Sequence, residues 1–362
     1  MNKRNISAGI LTWHYYQNFG SALQCFALQT ICKTIVKDVK VINYRNPRFG
    51  SVNIPKEWCC YIFAPLLQII SRRFKLANLC FRKKYIKETR FVRTNNDISD
   101  ISRRFDVIIL GSDQIWAPNL LNPVYLGEPI DSSVRKVSYA ASIGLNDIPE
   151  ELVPQYKNNL SDFYAIGIRE QEGKELLKRK CGIESTVVLD PTLLVKVDTY
   201  KQMQRKVMGI HHPYLFCYFL NKEHMYKDSV KQYAKDHSLT IVGVSDNIQD
   251  DEWMTRLTGL GADHFLWLIN HAETVMTDSY HGSIFSLLFH KNLWIFQRFS
   301  EDNPICQNSR IRQLSHNFDL DSRIITATSI IDDSKPIDFN VFEARLNELK
   351  TFSLDFLKKA LE

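Results

Sequence analysis

The residue best placed to do chemistry is His281. It stands in Thr277-Asp278-Ser279-Tyr280-His281-Gly282-Ser283, where a short apolar run passes into the apolar stretch Ser283–Phe289. A helix starting there offers unpaired N–H groups and the positive end of its dipole, a setting that favours anions. An imidazole in that setting suits proton exchange near neutral pH. Gly282 leaves room for a ligand to approach the backbone. An anionic substrate also needs fixed cations, and arginine grips carboxylate and phosphate through two parallel hydrogen bonds. Arg169 directly follows the apolar run Phe163–Ile168, and Arg310 and Arg312 lie in Asn308-Ser309-Arg310-Ile311-Arg312, read as a loop after the last strand of the second half. Other polar residues gather where apolar runs end: Asn18, Gly20 and Ser21 after the first, and Ser112, Asp113 and Gln114 after Phe105–Leu110. Asp113, Asp278 and Ser279 could each be a helix cap. The agreement of four loops in position and chemistry is what points to a site.

These residues are carried by an alternation of strands and helices. Ile6–Trp13, Val39–Tyr44, Phe105–Leu110, Lys136–Ser142, Phe163–Ile168 and Thr186–Leu189 read as short strands. Ala22, Leu23, Phe26, Ala27, Leu28 and Ile31 fall at helical spacing after Ser21, and a second helix is expected over 171–180. Residues 196–212 read as a linker with a helix. A second series follows, with strands at Tyr214–Leu220, Leu239–Val244, Thr274–Thr277 and Leu293–Phe296 and helices over 226–235, 265–270 and 283–289. Strands alternating with helices imply parallel sheets covered on both faces. The expected fold is therefore α/β, with two Rossmann-like doubly wound domains facing a cleft. They span residues 1–200, with a basic and apolar excursion at 50–100, and 213–335; a C-terminal helix occupies 336–362. Ligands of such sheets bind outside the carboxyl ends of the strands, and the four polar loops fall there.

Composition narrows the possibilities. The chain has 362 residues, 44% hydrophobic and 24% charged, which excludes disordered and collagen-like readings. No apolar run approaches the ~20 residues of a membrane-spanning helix. The basic start has only a short apolar run before Trp13 and no small-residue cleavage site, which argues against a secretory signal. The eight cysteines include no CxxC pair and read as small buried hydrophobes in a reducing compartment, and no histidine spacing suggests a metal. P-loop, GxGxxG and GxSxG motifs are absent. The net charge of +6 is concentrated at 72–93, just after the apolar and aromatic stretch 58–70. Such a segment can rest on an anionic membrane surface. The preferred reading is a helical excursion packed on its own domain with a solvated basic face. The expected location is cytoplasmic, with peripheral contact at the inner face of the membrane as the other use of this segment. No nucleic-acid motif accompanies the charge.

An ordered set of motifs resembles the polysaccharide pyruvyl transferase family. The matching pieces are Tyr15-Tyr16-Gln17-Asn18-Phe19-Gly20-Ser21-Ala22-Leu23-Gln24, Leu110-Gly111-Ser112-Asp113-Gln114-Ile115-Trp116, Ser138-Tyr139-Ala140-Ala141-Ser142-Ile143-Gly144, Ile168-Arg169-Glu170, Val188-Leu189-Asp190-Pro191-Thr192-Leu193-Leu194, and the segment around His281. The resemblance spans roughly residues 6–325. It implies two Rossmann-like domains arranged as in GT-B glycosyltransferases, with no cofactor and phosphoenolpyruvate as co-substrate. The implied reaction transfers a pyruvyl group to two hydroxyls of a sugar in a capsular or exopolysaccharide repeat unit or lipid-linked precursor, forming a cyclic ketal and releasing phosphate. The family histidine falls on His281 and the first-domain arginine on Arg169. Many members carry an arginine two positions before the histidine, where this chain has Ser279. Arg310, helped by Arg312, is expected to replace that cation.

The residues accept this chemistry on their own terms. A carboxylate and a phosphate call for Arg169, Ser279, Gly282, Ser283, Arg310 and Arg312. His281 is the expected acid/base group, with Asp113 holding or deprotonating the acceptor. Asn18, Gly20, Ser21, Ser112, Gln114 and Trp116 are expected on the acceptor side. A nucleotide-sugar glycosyltransferase of the same architecture and glycan pathway is the nearest alternative. A non-catalytic glycan-binding protein is a further one, and it would not require His281 and Arg169 to converge.

Overall fold

The computed structural model describes residues 4–15, 18–45, 73–221, 226–245, 250, 252–300, 303, 306–326 and 331–362. The apolar stretch 58–70 lies outside them. The strands of the front half are β1 (Arg4–Leu11), β2 (Val36–Tyr44), β3 (Glu88–Val92), β4 (Val107–Leu110), β5 (Arg135–Ala141), β6 (Ala165–Ile168) and β7 (Thr186–Val187). They form one sheet in the order β3-β2-β1-β4-β5-β6-β7, with parallel pairing throughout. The back half contributes β8 (Tyr214–Tyr218), β9 (Thr240–Val244), β10 (Thr255–Leu257), β11 (Thr274–Thr277), β12 (Asn292–Phe296) and β13 (Ile324–Ile325), ordered β10-β9-β8-β11-β12-β13 and again parallel. Each sheet reverses its winding between its first and fourth strands, so the loops after β1 and β4, and after β8 and β11, open a crevice at the switch point. Each of the expected strands has a counterpart, with ends shifted by a few residues. β3, β10 and β13 are additional: they are edge strands of five, three and two residues, too short to show a pattern.

The helices explain how the two sheets are held. Helix α1 (Phe19–Ile35) is capped by Asn18, whose side chain accepts from Ser21 N at 3.3 Å. It is apolar on nearly every side, from Phe19 through Leu23 to Ile35, and buried along almost its whole length. A helix without a polar face must be enclosed, and α1 is enclosed between the two halves. Phe19 stacks on Phe265 of the back half, with ring centroids 4.8 Å apart and planes at 21°, and leans on Tyr218 at 5.5 Å. One hydrophobic cluster accordingly runs through both sheets.

Two further helices complete the enclosure. Helix α2 (Arg73–Tyr85) buries Leu76, Leu79 and Phe81 while Lys83 and Lys84 stay exposed, as expected of a packed excursion. Arg82 departs from that pattern: it is buried and paired with Glu88 at 2.9 Å. The C-terminal helix, Phe339–Ala360, begins beside the back half and returns to the front sheet. There Ser353 Oγ accepts from Leu189 N at 2.9 Å, and Phe356 occupies the space that a side chain on Gly167 would fill. Among the described cysteines, Cys25, Cys32, Cys181, Cys217 and Cys306 are buried as expected, whereas Cys80 is exposed.

Candidate functional site

The crevice between the halves holds a cavity of about 200 Å³. Its front wall is Trp13, Asn18, Ser21, Asp113, Gln114 and Leu120; its back wall is Leu220, Ser279, Tyr280, His281, Arg298 and Arg310. Sequence reading thus placed Asn18, Ser21, Asp113, Gln114, Ser279, His281 and Arg310 in one cleft. Helix Tyr280–Leu288 carries His281 in its first turn, with Ser279 as N-cap. Burial of the whole helix anchors that turn against β11.

The front wall is a surface of acceptors and amides. Ser21 Oγ donates to Asp113 Oδ2 at 2.6 Å. Asp113 has φ 76°, a left-handed conformation that aspartate tolerates through local hydrogen bonds; Gln114 N donates to Asp113 Oδ1 at 2.9 Å. Gln114 Nε2 and Arg310 Nη2 both donate to Gln307 Oε1 at 3.1 Å, which links the two walls. Gly20 presses directly on the histidine: a Cβ there would lie 2.1 Å from His281 Nδ1.

Behind the cleft lies a buried network that sequence reading only partly foresaw. Arg169 Nη2 donates to Ser112 Oγ at 2.6 Å and lies 3.1 Å from Asp190 Oδ2. His281 Nε2 approaches the same Asp190 oxygen at 3.5 Å. Arg169 and His281 therefore converge, but on a carboxylate of the protein. Burial alone would push the Asp190 carboxyl up; Arg169 and His281 outweigh it and hold it well below the usual carboxylate range. Burial likewise disfavours the Arg169 charge, and Asp190 more than restores it. Burial pushes Glu170 up, against the pull of Arg169 and of the Ser142 hydroxyl that donates to it.

The cations of the cleft come from the back half. Arg298 follows β12, with Nε 3.1 Å from Asp278 Oδ2 and Nη2 donating to Asp278 O at 2.9 Å. Asp278 also accepts from the N–H groups of Leu220 and Asn221 at 2.7 and 2.8 Å, so it shapes the loop that holds Arg298. Arg310 hydrogen-bonds no carboxylate among the described residues. Burial, then the charges of Arg298 and Arg169, bring its pKa down to about 10. A cation crowded by like charges gains most from an anionic ligand. Arg169 and Arg310 lie over the ring of Tyr280, at 5.0 and 5.8 Å from its centroid.

Several expectations are corrected by this geometry. Arg169 is a buried partner of Asp190 and does not line the cleft. Arg310 and Arg312 lie on a helix, Ser309–Phe318, rather than in a loop. Arg312 pairs with Glu172 at 2.9 Å and stays outside the cleft lining, so it does not assist Arg310. Gly282 N is taken by Ser279 Oγ at 3.2 Å, and a Cβ on Gly282 would meet Thr277 Oγ1 at 2.7 Å; this glycine serves helix-on-strand packing. Ser283 donates both its N–H and its hydroxyl to Ser279 O, at 2.9 and 3.0 Å. Ser112 is fully buried behind the wall, donating to Ala140 O at 3.1 Å. Trp116 is a core residue, its Nε1 donating to Tyr125 O at 2.8 Å. Trp13, Leu220, Arg298 and Asp190 were missed, although each stands just past a strand end. Among the described residues no group of three or more His, Cys, Asp and Glu side chains gathers to hold a metal, and no helix is long and apolar enough to cross a membrane.

Two parallel sheets with opposed switch points define a two-domain α/β protein of the GT-B fold. The same arrangement is found in UDP-GlcNAc 2-epimerase from Methanocaldococcus jannaschii, at TM-score 0.54 and 11% identity over 95% of this chain and 92% of that one. It recurs in the Neisseria meningitidis UDP-GlcNAc 2-epimerase bound to UDP-GlcNAc, at TM-score 0.52 and 10% identity over 98% and 94% of the two chains. At such identities the likeness concerns the fold alone. A sequence model described as Polysaccharide pyruvyl transferase matches residues 18–297. The chain belongs to that family, a family of transferases in polysaccharide biosynthesis. No curated protein sequence matches it significantly.

Proposed function

We propose that the protein transfers a pyruvyl group from phosphoenolpyruvate to two hydroxyls of a sugar in a polysaccharide repeat unit or its lipid-linked precursor, forming a cyclic ketal and releasing phosphate. The observation that carries this reading is the division of one cleft: His281, Arg298 and Arg310 on the back wall, Asp113, Asn18 and Ser21 on the front. Phosphoenolpyruvate has two anionic groups, and Arg298 and Arg310 supply two cations in the position expected of a donor site. The acceptor is uncharged at its reacting hydroxyls and suits the amide, hydroxyl and carboxylate groups opposite. Trp13, Leu120 and Leu220 offer apolar surface to the faces of a sugar ring.

The residues then divide the work of the reaction. Asp113 takes the proton of the first hydroxyl as its oxygen bonds to C2 of the donor, and His281 delivers a proton to C3. Phosphate leaves from C2, taking the electron pair of the C–O bond. The resulting oxocarbenium-like centre is closed by the second hydroxyl, whose proton returns to His281, left neutral by the transfer to C3, while the proton held by Asp113 leaves with the phosphate. No cofactor takes part in this scheme. The proposed setting is the cytoplasm, and flotation with anionic liposomes, weakened by salt, tests peripheral contact at the inner face of the membrane.

The deciding experiment is phosphate release from phosphoenolpyruvate with a panel of galactose-, glucose- and mannosamine-containing lipid-linked acceptors. Acceptor-dependent release supports the reading. No release with any acceptor, together with thermal stabilisation by a sugar nucleotide but not by phosphoenolpyruvate, replaces it with nucleotide-sugar glycosyl transfer.

A further inference from the structure

We propose that Asp190 is a positioning residue that keeps His281 protonated on Nε2, which leaves Nδ1, the nitrogen on the Gly20 side of the ring, to exchange the proton with substrate. The second part of this inference rests on the proposed reaction; the first does not. Asp190 follows β7 and caps the turn Pro191–Leu193. Its Oδ1 accepts from Thr192 N at 2.9 Å and from Thr192 Oγ1 at 2.6 Å. That fixes the carboxylate plane and leaves Oδ2 to face Arg169 Nη2 at 3.1 Å, Ser112 Oγ at 3.4 Å and His281 Nε2 at 3.5 Å. An ionised carboxylate can only accept hydrogen bonds. The ring nitrogen turned towards it therefore carries the hydrogen, which leaves the lone pair of a neutral imidazole on Nδ1.

The other edge of the ring packs on the first turn of α1. Nδ1 and Cγ face Gly20, where a Cβ would stand 2.1 and 2.5 Å away. Gly20 belongs to the turn between Asn18 and Ser21, both of which line the cleft. The charged and titratable groups packed around the imidazole are Asp190, Arg169 and Glu170 behind it, Asp113 across the cleft, and Tyr280, Arg298 and Arg310 on its own side. Asp190 alone among the carboxylates reaches a ring nitrogen within 4 Å among the described residues. Arg169, bound to the same oxygen, holds that carboxylate ionised and in place.

The test uses the full-length protein labelled with ¹⁵N-histidine, with the His281 signals assigned by their loss in H281Q. Without substrate, at a pH where the imidazole is neutral, wild type is expected to show a protonated Nε2 and an unprotonated Nδ1. Asp190→Asn is expected to populate the opposite tautomer and to lower kcat about 10²-fold or more, with KM for phosphoenolpyruvate within about threefold. A neutral wild-type imidazole that carries its hydrogen on Nδ1 overturns the proposal, as does an Asp190→Asn protein with an unchanged tautomer and unchanged kcat. Should Asp190→Asn fail to fold, the wild-type spectrum decides alone. Absence of phosphate release from wild type would count against the reaction and not against the tautomer.

Discussion

The two walls of the cleft differ in the charge they present. The back wall offers Arg298 and Arg310 beside His281, whereas the front wall offers Asp113, Asn18, Ser21 and Gln114. The front half has an arginine at the matching strand end, but Arg169 is turned inwards, and Asp190 and Ser112 occupy the Nη2 it directs at them. Position at a strand end therefore does not decide whether a charge faces a ligand: Arg169 is enclosed together with its carboxylate, whereas Arg298, though paired with Asp278, still lines the cleft. On the proposed reaction this asymmetry assigns the anionic donor to the back wall and the neutral acceptor to the front. The walls also share a core: α1, with Phe19 against Phe265, joins them through packed aromatic surface. The cleft is thus built as one piece, not as two lids around a loose hinge.

His281→Ala is the strongest test of the contrast between the walls. Turnover should fall about 10²- to 10⁴-fold. Thermal stabilisation by phosphoenolpyruvate should persist, because the two arginines remain; loss of both together would show that the histidine binds the donor and does not transfer protons. The joint between the halves is probed by Phe265→Ala. It should cost about 3–5 kcal/mol and leave a single cooperative unfolding transition, measured by chemical denaturation. Two separate transitions would mean that the walls fold independently.

A third test contrasts two histidines. His14, in the front half, is buried with its Nδ1 3.0 Å from Thr12 O, and burial above all lowers its pKa from 6.5 to about 4. In that interval the unfolded chain binds more protons than the folded one. The stability contributed by neutral His14 is therefore complete above pH 6.5 and is lost progressively towards pH 4. The loss amounts to about 3 kcal/mol. His14→Gln should flatten the stability profile in that window and leave turnover nearly unchanged.

The arginines provide the smallest effects. Arg310→Met should raise KM for phosphoenolpyruvate about 10- to 100-fold, the worth of a charged hydrogen bond. Arg312→Met removes a half-exposed pair with Glu172 outside the cleft lining, and steady-state kinetics should change less than about twofold. Equal effects of the two substitutions would erase the distinction between cleft cation and surface cation.

Much of this molecule was legible because its signals are local. Runs such as Val107–Leu110 and Thr274–Thr277 announce buried parallel strands by their own composition, and the winding of such sheets directs attention to the loops that follow. His281, Asp113 and Ser21 were found in that way. Arg298 obeys the same rule two residues beyond Phe296 and could have been found by it. The direction in which each side chain points was not legible. Ser112 and Asp113 are neighbours in sequence, yet one faces Arg169 and the other Ser21, because Asp113 adopts a left-handed backbone. Trp116, three residues further on, is drawn into the core by the Tyr125 carbonyl.

What the sequence by itself determined is the alternation of strands and helices, the family and the set of polar residues brought to the strand ends, since each depends on short-range pattern. Tertiary structure alone decided which of those residues meet water. Arg169 and Ser112 are claimed by Asp190, and Gly282 by Thr277, through contacts between strand-end loops and between helix and strand. Electrostatic pairing and packing act over distances in space that bear no fixed relation to distance along the chain, so an arginine reads the same in sequence whether a carboxylate is waiting for it or not.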